Sequence, residues 1–162
     1  MAAPEAAPQV EEQVLPRGPE KIERDLAMAR LAAEIHLQSE RYAKRPKRKF
    51  VSASTQEWAY ATYLRSWVDR VERVGNLNYP DEARRRQLSG TLVISVAIRR
   101  DGSVERAEVI QSSGVRLLDD AALRIARLAE PYPPLPRTEE EIDVLHVTRT
   151  WNFLPAGELV DD

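Results

Sequence analysis

Among residue types able to do chemistry, the scarcest here are the imidazoles: His36 and His146 are the only two in 162 residues, and cysteine is absent. Without thiolates there is no disulfide scaffold, no thiolate zinc site and no cysteine nucleophile, and two isolated histidines make a poor metal set. The paired carboxylates Asp119-Asp120 fall where a helix is expected to begin, a position that favours negative charge for its own sake. Ser112-Ser113-Gly114 reads as a turn, with no base near it in sequence. The six glycines stand singly and match no phosphate-binding fingerprint. Neither a nucleophile with its base nor a pair of carboxylates sharing a cleft is visible. These residues point to a binding or mechanical protein, not an enzyme, with no catalytic residue, cofactor or metal expected.

Charge narrows the partners. Lys+Arg number 24 against 26 Asp+Glu, a net −2, so bulk attraction to nucleic acid is not encoded. Locally, Lys44-Arg45-Pro46-Lys47-Arg48-Lys49 places five cations in six residues. Such a run could suit anionic lipid or nucleic acid, but it is more often a solvated connector, and no nucleic-acid partner is expected. Hydrophobic residues, 43% of the chain, suffice for a core, and no apolar run approaches the ~20 residues of a membrane helix.

The elements follow from periodicity. Residues 1–19 hold Pro4, Pro8, Pro16 and Pro19 and read as a disordered Pro/Ala-rich linker. Residues 20–43 show an amphipathic helical stripe through Ile22, Leu26, Ala29, Ala33 and Leu37, which needs a partner, either the rest of the chain or a second copy in a short coiled coil. Residues 44–54 form a basic connector. Ser54-Thr55-Gln56-Glu57 fits a capping box for a second helix carrying Tyr60, Tyr63, Leu64, Trp67, Val68, Val71 and Val74, with Gly75 placed to end it. Pro80 opens a short helix to about Leu88, closed by Gly90.

At Thr91 the period changes from 3.6 to 2. Leu92, Ile94, Val96 and Ile98 share one face of a strand, Arg99-Arg100-Asp101-Gly102 turns the chain, and Val104–Ile110 completes a hairpin. Leu118, Ala121, Ala122, Ile125 and Leu128 trace a further helix, which the proline cluster Pro131–Pro136 ends. The final strand, Asp143–Leu154, sets Leu145, Val147, Trp151 and Phe153 against His146, Thr148, Thr150 and Asn152 on the opposite face. The sum is an α+β domain over 55–155: a three-stranded antiparallel sheet with helices on one face, preceded by the N-terminal helical segment and followed by an acidic tail, 156–162. The third strand joins one side of the hairpin and leaves its outer edge free, so that edge is either blocked or used.

The ordered set Tyr79-Pro80-Asp81-Glu82-Ala83, Gly90 with its strand, Asp101-Gly102-Ser103-Val104, Ser112-Ser113-Gly114, Leu118-Asp119-Asp120-Ala121-Ala122, Pro131–Pro136 and Phe153 resembles the C-terminal domain of the TonB family of energy transducers. The resemblance implies a periplasmic domain whose full-length parent is anchored in the inner membrane by a helix associating with ExbB and ExbD. This chain is then expected to be a soluble piece of such a parent, with a protein naturally lacking the anchor as the alternative. The resemblance further implies binding of the TonB box of an outer-membrane transporter by strand addition to the last strand, through Leu145, Val147, Thr148, Arg149, Thr150 and Trp151. A family tract around Gln-Pro-Gln-Tyr-Pro falls on Asn76, Leu77, Asn78, Tyr79 and Pro80, where Tyr79-Pro80 match and the first three positions differ. The helical segment before the domain is unusual for the family, and leaves open a homodimer through 20–43 or a docking role in another envelope machine, for motility or secretion.

Overall fold

The computed structural model describes residues 18–162. The expected linker therefore lies outside the described residues apart from Gly18 and Pro19. The chain divides into two compact units, 1–45 and 46–162.

The described part of the first unit is one helix, α1 (Pro19–Ala43). Proline at its first position sacrifices no hydrogen bond, and Glu20 and Arg41 complement the two ends of its dipole. None of its residues is buried: Ile22, Leu26, Leu31 and Ile35 are all exposed.

In the second unit the element order is β1 (Arg48–Val51), α2 (Trp58–Leu77), α3 (Asp81–Arg85), β2 (Gly90–Arg99), β3 (Val104–Gln111), α4 (Arg116–Leu128), β4 (Val144–Leu154) and β5 (Glu158–Asp161). The two-residue period translates directly into burial. Leu92, Ile94, Val96 and Ile98 of β2 and Leu145, Val147, Trp151 and Phe153 of β4 are sealed in one core with Tyr60, Tyr63, Leu64, Trp67 and Val71 of α2 and Leu118, Ala122 and Ile125 of α4. Burying each such large side chain is worth about 1.5–3 kcal/mol. At the centre the Trp67 indole stacks on Tyr132 (ring centroids 5.8 Å apart) and tilts against Trp151 (6.1 Å). Tyr132, inside the proline cluster, is fixed by its hydroxyl donating to the Ala126 carbonyl at 2.7 Å, so the expected stiff connector is anchored in the core.

The fold class is α+β, but the sheet has five strands and mixed direction instead of three antiparallel ones. Its order is β1-β4-β2-β3, with β5 also paired to β4. The hairpin β2–β3 and the antiparallel β2–β4 ladder, Gly90↔Phe153 to Arg99↔Val144, match the periodic pattern. The two additional strands lie in the stretches read as basic connector and acidic tail. Both pair with β4, β1 in parallel and β5 antiparallel. The last long strand therefore lies inside the sheet, and the free outer edge expected for it is largely covered.

Three local expectations also change. The Ser54–Glu57 capping box does not form. Helix α2 starts at Trp58 with no side-chain cap; the Ser54 hydroxyl lies 3.1 Å from that of Ser52, and the Glu57 carboxylate accepts from Lys49 at 2.8 Å. Gly75 does not end α2, which runs on to Leu77 with Gly75 buried in it; a methyl group there would meet the Leu159 side chain, which would have to shift. Gly90 is the first residue of β2 and not a loop, and α3 stops at Arg85.

Candidate functional site

Everything on the outer side of β4 is short and supplied from elsewhere in the chain. On one half, Arg48, Lys49, Phe50 and Val51 pair with Val144, Leu145, His146 and Val147. Asp143 ties the entry: its amide donates to the Lys47 carbonyl at 2.8 Å and its carboxylate accepts from the Lys47 amide at 2.8 Å. Pleating sends alternate side chains of β1 to opposite faces. On the helix side Val51 is buried, and the Lys49 amine donates to Glu57 (2.8 Å) and Glu140 (3.2 Å), 5.2 Å from the centre of the Tyr60 ring. The Glu57 hydrogen bond is the main reason the Lys49 amine is held above the ordinary lysine range. On the other side Phe50 stacks on His146 with ring centroids 4.5 Å apart, and Arg48 Nη1 donates to Glu105 (2.8 Å) and to His146 Nε2 (3.0 Å). Burial, and then the neighbouring Arg48 charge, lower the His146 pKa.

On the other half β5 folds back along Trp151–Leu154. Leu159 is buried over Gly75. The Asp161 carboxylate accepts from Arg149 Nε at 2.6 Å and from the Trp151 indole at 2.8 Å, and the Asp161 amide donates to Glu72 at 3.1 Å. The Arg149–Asp161 pair is almost entirely out of water. Removing either partner of such a pair strands the other charge, at a cost of about 3–5 kcal/mol.

Between the two additions, Thr148, Arg149 and Thr150 belong to neither register. The Thr150 carbonyl accepts from the Asp162 amide at 2.9 Å, so its backbone points outward. Because backbone groups alternate sides along a strand, Thr148 points outward as well.

The expected site residues thus separate into three groups. Leu145, Val147 and Trp151 turn their side chains into the core, Arg149 is engaged by Asp161, and only Thr148 and Thr150 combine half-exposed side chains with outward backbone. In the tract Asn76–Pro80, Asn76 and Tyr79 hold other parts of the fold. Leu159 donates its amide to Asn76 Oδ1 at 2.8 Å, and the Tyr79 hydroxyl donates to the Leu154 carbonyl at 3.4 Å. Asn78 Nδ2 donates to the Val74 carbonyl at the end of α2, Pro80 precedes α3, and Leu77 is exposed. The sequence reasoning missed Lys49, Glu57, Tyr60, Glu140 and Asp161. For Lys49 the signal was its alternation with Val51 beside Phe50, too short to register as a strand; the other four share no signal with it.

Asp119 is structural. Burial works to raise its pKa, yet the Ser112 and Ser113 hydroxyls and the Ser113 amide, all donating to it, bring it below the usual range. It knots the turn before α4. Among the described residues no group of three His, Cys, Asp or Glu is placed to hold a metal ion.

A hairpin, a covering helix and a long strand whose outer side is completed by short segments define an α+β domain. Residues 75–155 match the family described as Gram-negative bacterial TonB protein C-terminal. The chain belongs to that family. It is 33% identical over 78 residues to Protein TonB of Pasteurella multocida (strain Pm70), a match spanning 48% of this chain but 28% of that protein. Two solution structures of the Helicobacter pylori TonB C-terminal domain align with 62% of this chain and with 97% and 94% of their own lengths, at 24% and 23% identity and TM-scores of 0.45 and 0.46.

Proposed function

We propose that this chain is the periplasmic coupling module of a TonB-like energy transducer, and that it binds the TonB box of outer-membrane transporters by strand addition and transmits proton-gradient-derived work. The observation that carries this reading is the outer side of β4, where two short segments of independent origin add as strands, one parallel and one antiparallel. An edge that accepts strands of either direction is suited to an extended peptide, with main-chain bonds giving affinity and alternate side chains giving selectivity. The work is mechanical, so no catalytic residue takes part. ExbB and ExbD would be engaged through a membrane helix of the parent protein; no described helix is long and apolar enough to cross a membrane.

The test is amide shift perturbation with synthetic TonB-box peptides. Binding should be about micromolar, near −8 kcal/mol, once the ordering of a flexible peptide is set against a few main-chain bonds. Shifts should centre on Val144–Thr150, and proline at Thr148, which removes an outward amide, should weaken binding while serine there should not.

One observation favours a second reading. Helix α1 exposes Met28, Leu31, Ile35 and Tyr42, whose spacing sets them on one side of the helix, which suits self-association of an oligomeric docking protein of the envelope. Shifts confined to 20–43, with mass rising with concentration, would favour it.

A further inference from the structure

The contacts that β1 makes describe a ligand. Three carboxylates from different parts of the fold face it: Glu57 before α2, Glu140 before β4, and Glu105 on β3. Glu57 and Glu140 converge on one cation beside the Tyr60 ring, a favourable place for an ammonium or guanidinium group. Two residues further along, on the same face, Val51 enters the core. With Lys49 removed, two like charges would share that place with nothing between them, so an acidic or neutral occupant is penalised there.

The additions at the two halves of β4 differ in how firmly they are held. β5 is fastened by buried Leu159 and by the almost fully buried Arg149–Asp161 pair. β1 has a single buried side chain, Val51, while Phe50 is 72% exposed. Its ion pairs with Glu57, Glu140 and Glu105 are partly exposed, and such pairs contribute about 0–1 kcal/mol each. β1 is the addition that can leave.

We propose that Arg48–Val51 stands in for an external peptide, and that a partner segment bearing a lysine or arginine followed two residues later by an aliphatic side chain enters parallel to β4 over Val144–Val147 by displacing it. This deepens the strand-addition reading above and rests on it. The occupied edge also lowers apparent affinity, because only the fraction of molecules with β1 detached can bind. A tethered segment competes at an effective concentration in the millimolar range.

The experiment uses the full chain and a synthetic peptide of the chain's own residues 46–52 as probe, followed by amide shifts and titration. In Lys49→Glu, the new carboxylate faces Glu57 and Glu140 and should detach β1, withdrawing Val51 from the core while altering no core side chain. This variant should bind the probe at least about tenfold more tightly than the unaltered chain, with shifts on Val144–Thr148, and a probe whose lysine matching Lys49 is replaced by glutamate should not bind. Val51→Asp, read only if its dispersed strand signals persist, should behave alike. Equal affinity for variant and unaltered chain, indifference to the probe's lysine, or shifts on Glu158–Asp161 would overturn the proposal. If the probe behaves as expected but TonB-box peptides bind neither protein, this site stands and the TonB-box partner falls. If TonB-box peptides bind both proteins equally at β4, the partner stands and the stand-in falls.

Discussion

The Asn76 side-chain amide takes both backbone groups of Leu159: Oδ1 accepts from its N–H at 2.8 Å and Nδ2 donates to its carbonyl at 3.3 Å. A residue at the end of a helix thereby acts as a one-residue neighbouring strand for β5, whose far side would otherwise present unpaired groups. Asn76 is consequently part of what completes the sheet.

Replacing Asn76 by Asp keeps the acceptor and loses the donor, and sets a charge against the Leu159 carbonyl. Asn76→Asp should destabilise the second unit by about 1–3 kcal/mol, with Asn76→Ala similar. The denaturant midpoint should fall at unchanged slope, and the Leu159 amide should lose exchange protection first. Full protection there would show that the amide pair contributes nothing.

Two glycines with positive φ separate strain from collision. Gly102 (φ 90°) sits in the β2–β3 turn, and a methyl group there would run into the backbone of Tyr132, whose amide donates to the Gly102 carbonyl at 2.9 Å. Gly114 (φ 84°) faces open space. Gly114→Ala should cost about 1 kcal/mol, the conformational penalty alone, whereas Gly102→Val should cost several times more because the proline cluster must move. Equal midpoints for the two variants would show that Tyr132 yields freely.

The same residues indicate what a sequence can and cannot show. β2 and β4 were legible because each repeats its two-residue period for ten residues or more, and the turn between β2 and β3 because Asp101-Gly102 is a strong turn signal in which glycine takes a positive φ. β1 was not, since four residues carry too little period and its partner, Val144–Val147, lies at the far end of the chain. β5 was hidden by polarity: Asp161 points inward, so Leu159 and Asp161 break the apolar alternation, and only Arg149 and Trp151 explain the choice. The site suffered from the same gap. The resemblance pointed to β4, but without β1 and β5 its edge looked free, and Asn76 and Tyr79, expected to face a partner, also hold β5 and the end of β4.

Acid should loosen β1. Burial, then Arg48, depress the His146 pKa below its ordinary 6.5, with Glu105 and Glu108 pulling the other way. As pH falls through 6.5 the unfolded imidazole takes a proton before the folded one does, so the stability this group contributes is present above 6.5 and is lost below it, down to the folded value. Protonation also removes the acceptor for Arg48 Nη1. Between pH 7.5 and 5.5 the midpoint should drop, the drop should vanish in His146→Gln, and it should persist in His36→Gln. A drop unchanged by His146→Gln would assign the effect to other groups.

Truncation tests the division of the chain at its most informative point. Nothing in α1 is buried, and the second unit begins at Pro46, so residues 46–162 should fold with the stability of the full chain and the same dispersed strand signals. Cutting six residues further in, to give 52–162, removes β1 and with it Val51 from the core. Losing that one buried side chain costs about 1.5–3 kcal/mol, a tolerable share of the 5–15 kcal/mol typical of a domain. The 52–162 protein should therefore remain folded but less stable, with Val144–Val147 presenting an open edge that pairs with added peptide or with a second copy. Amide dispersion, denaturant midpoint and mass at two concentrations distinguish the possibilities. If 46–162 collapses, α1 is part of the folding unit; if 52–162 matches 46–162 in stability and stays monomeric without taking up peptide, β1 contributes little and the outer side of β4 is not an acceptor.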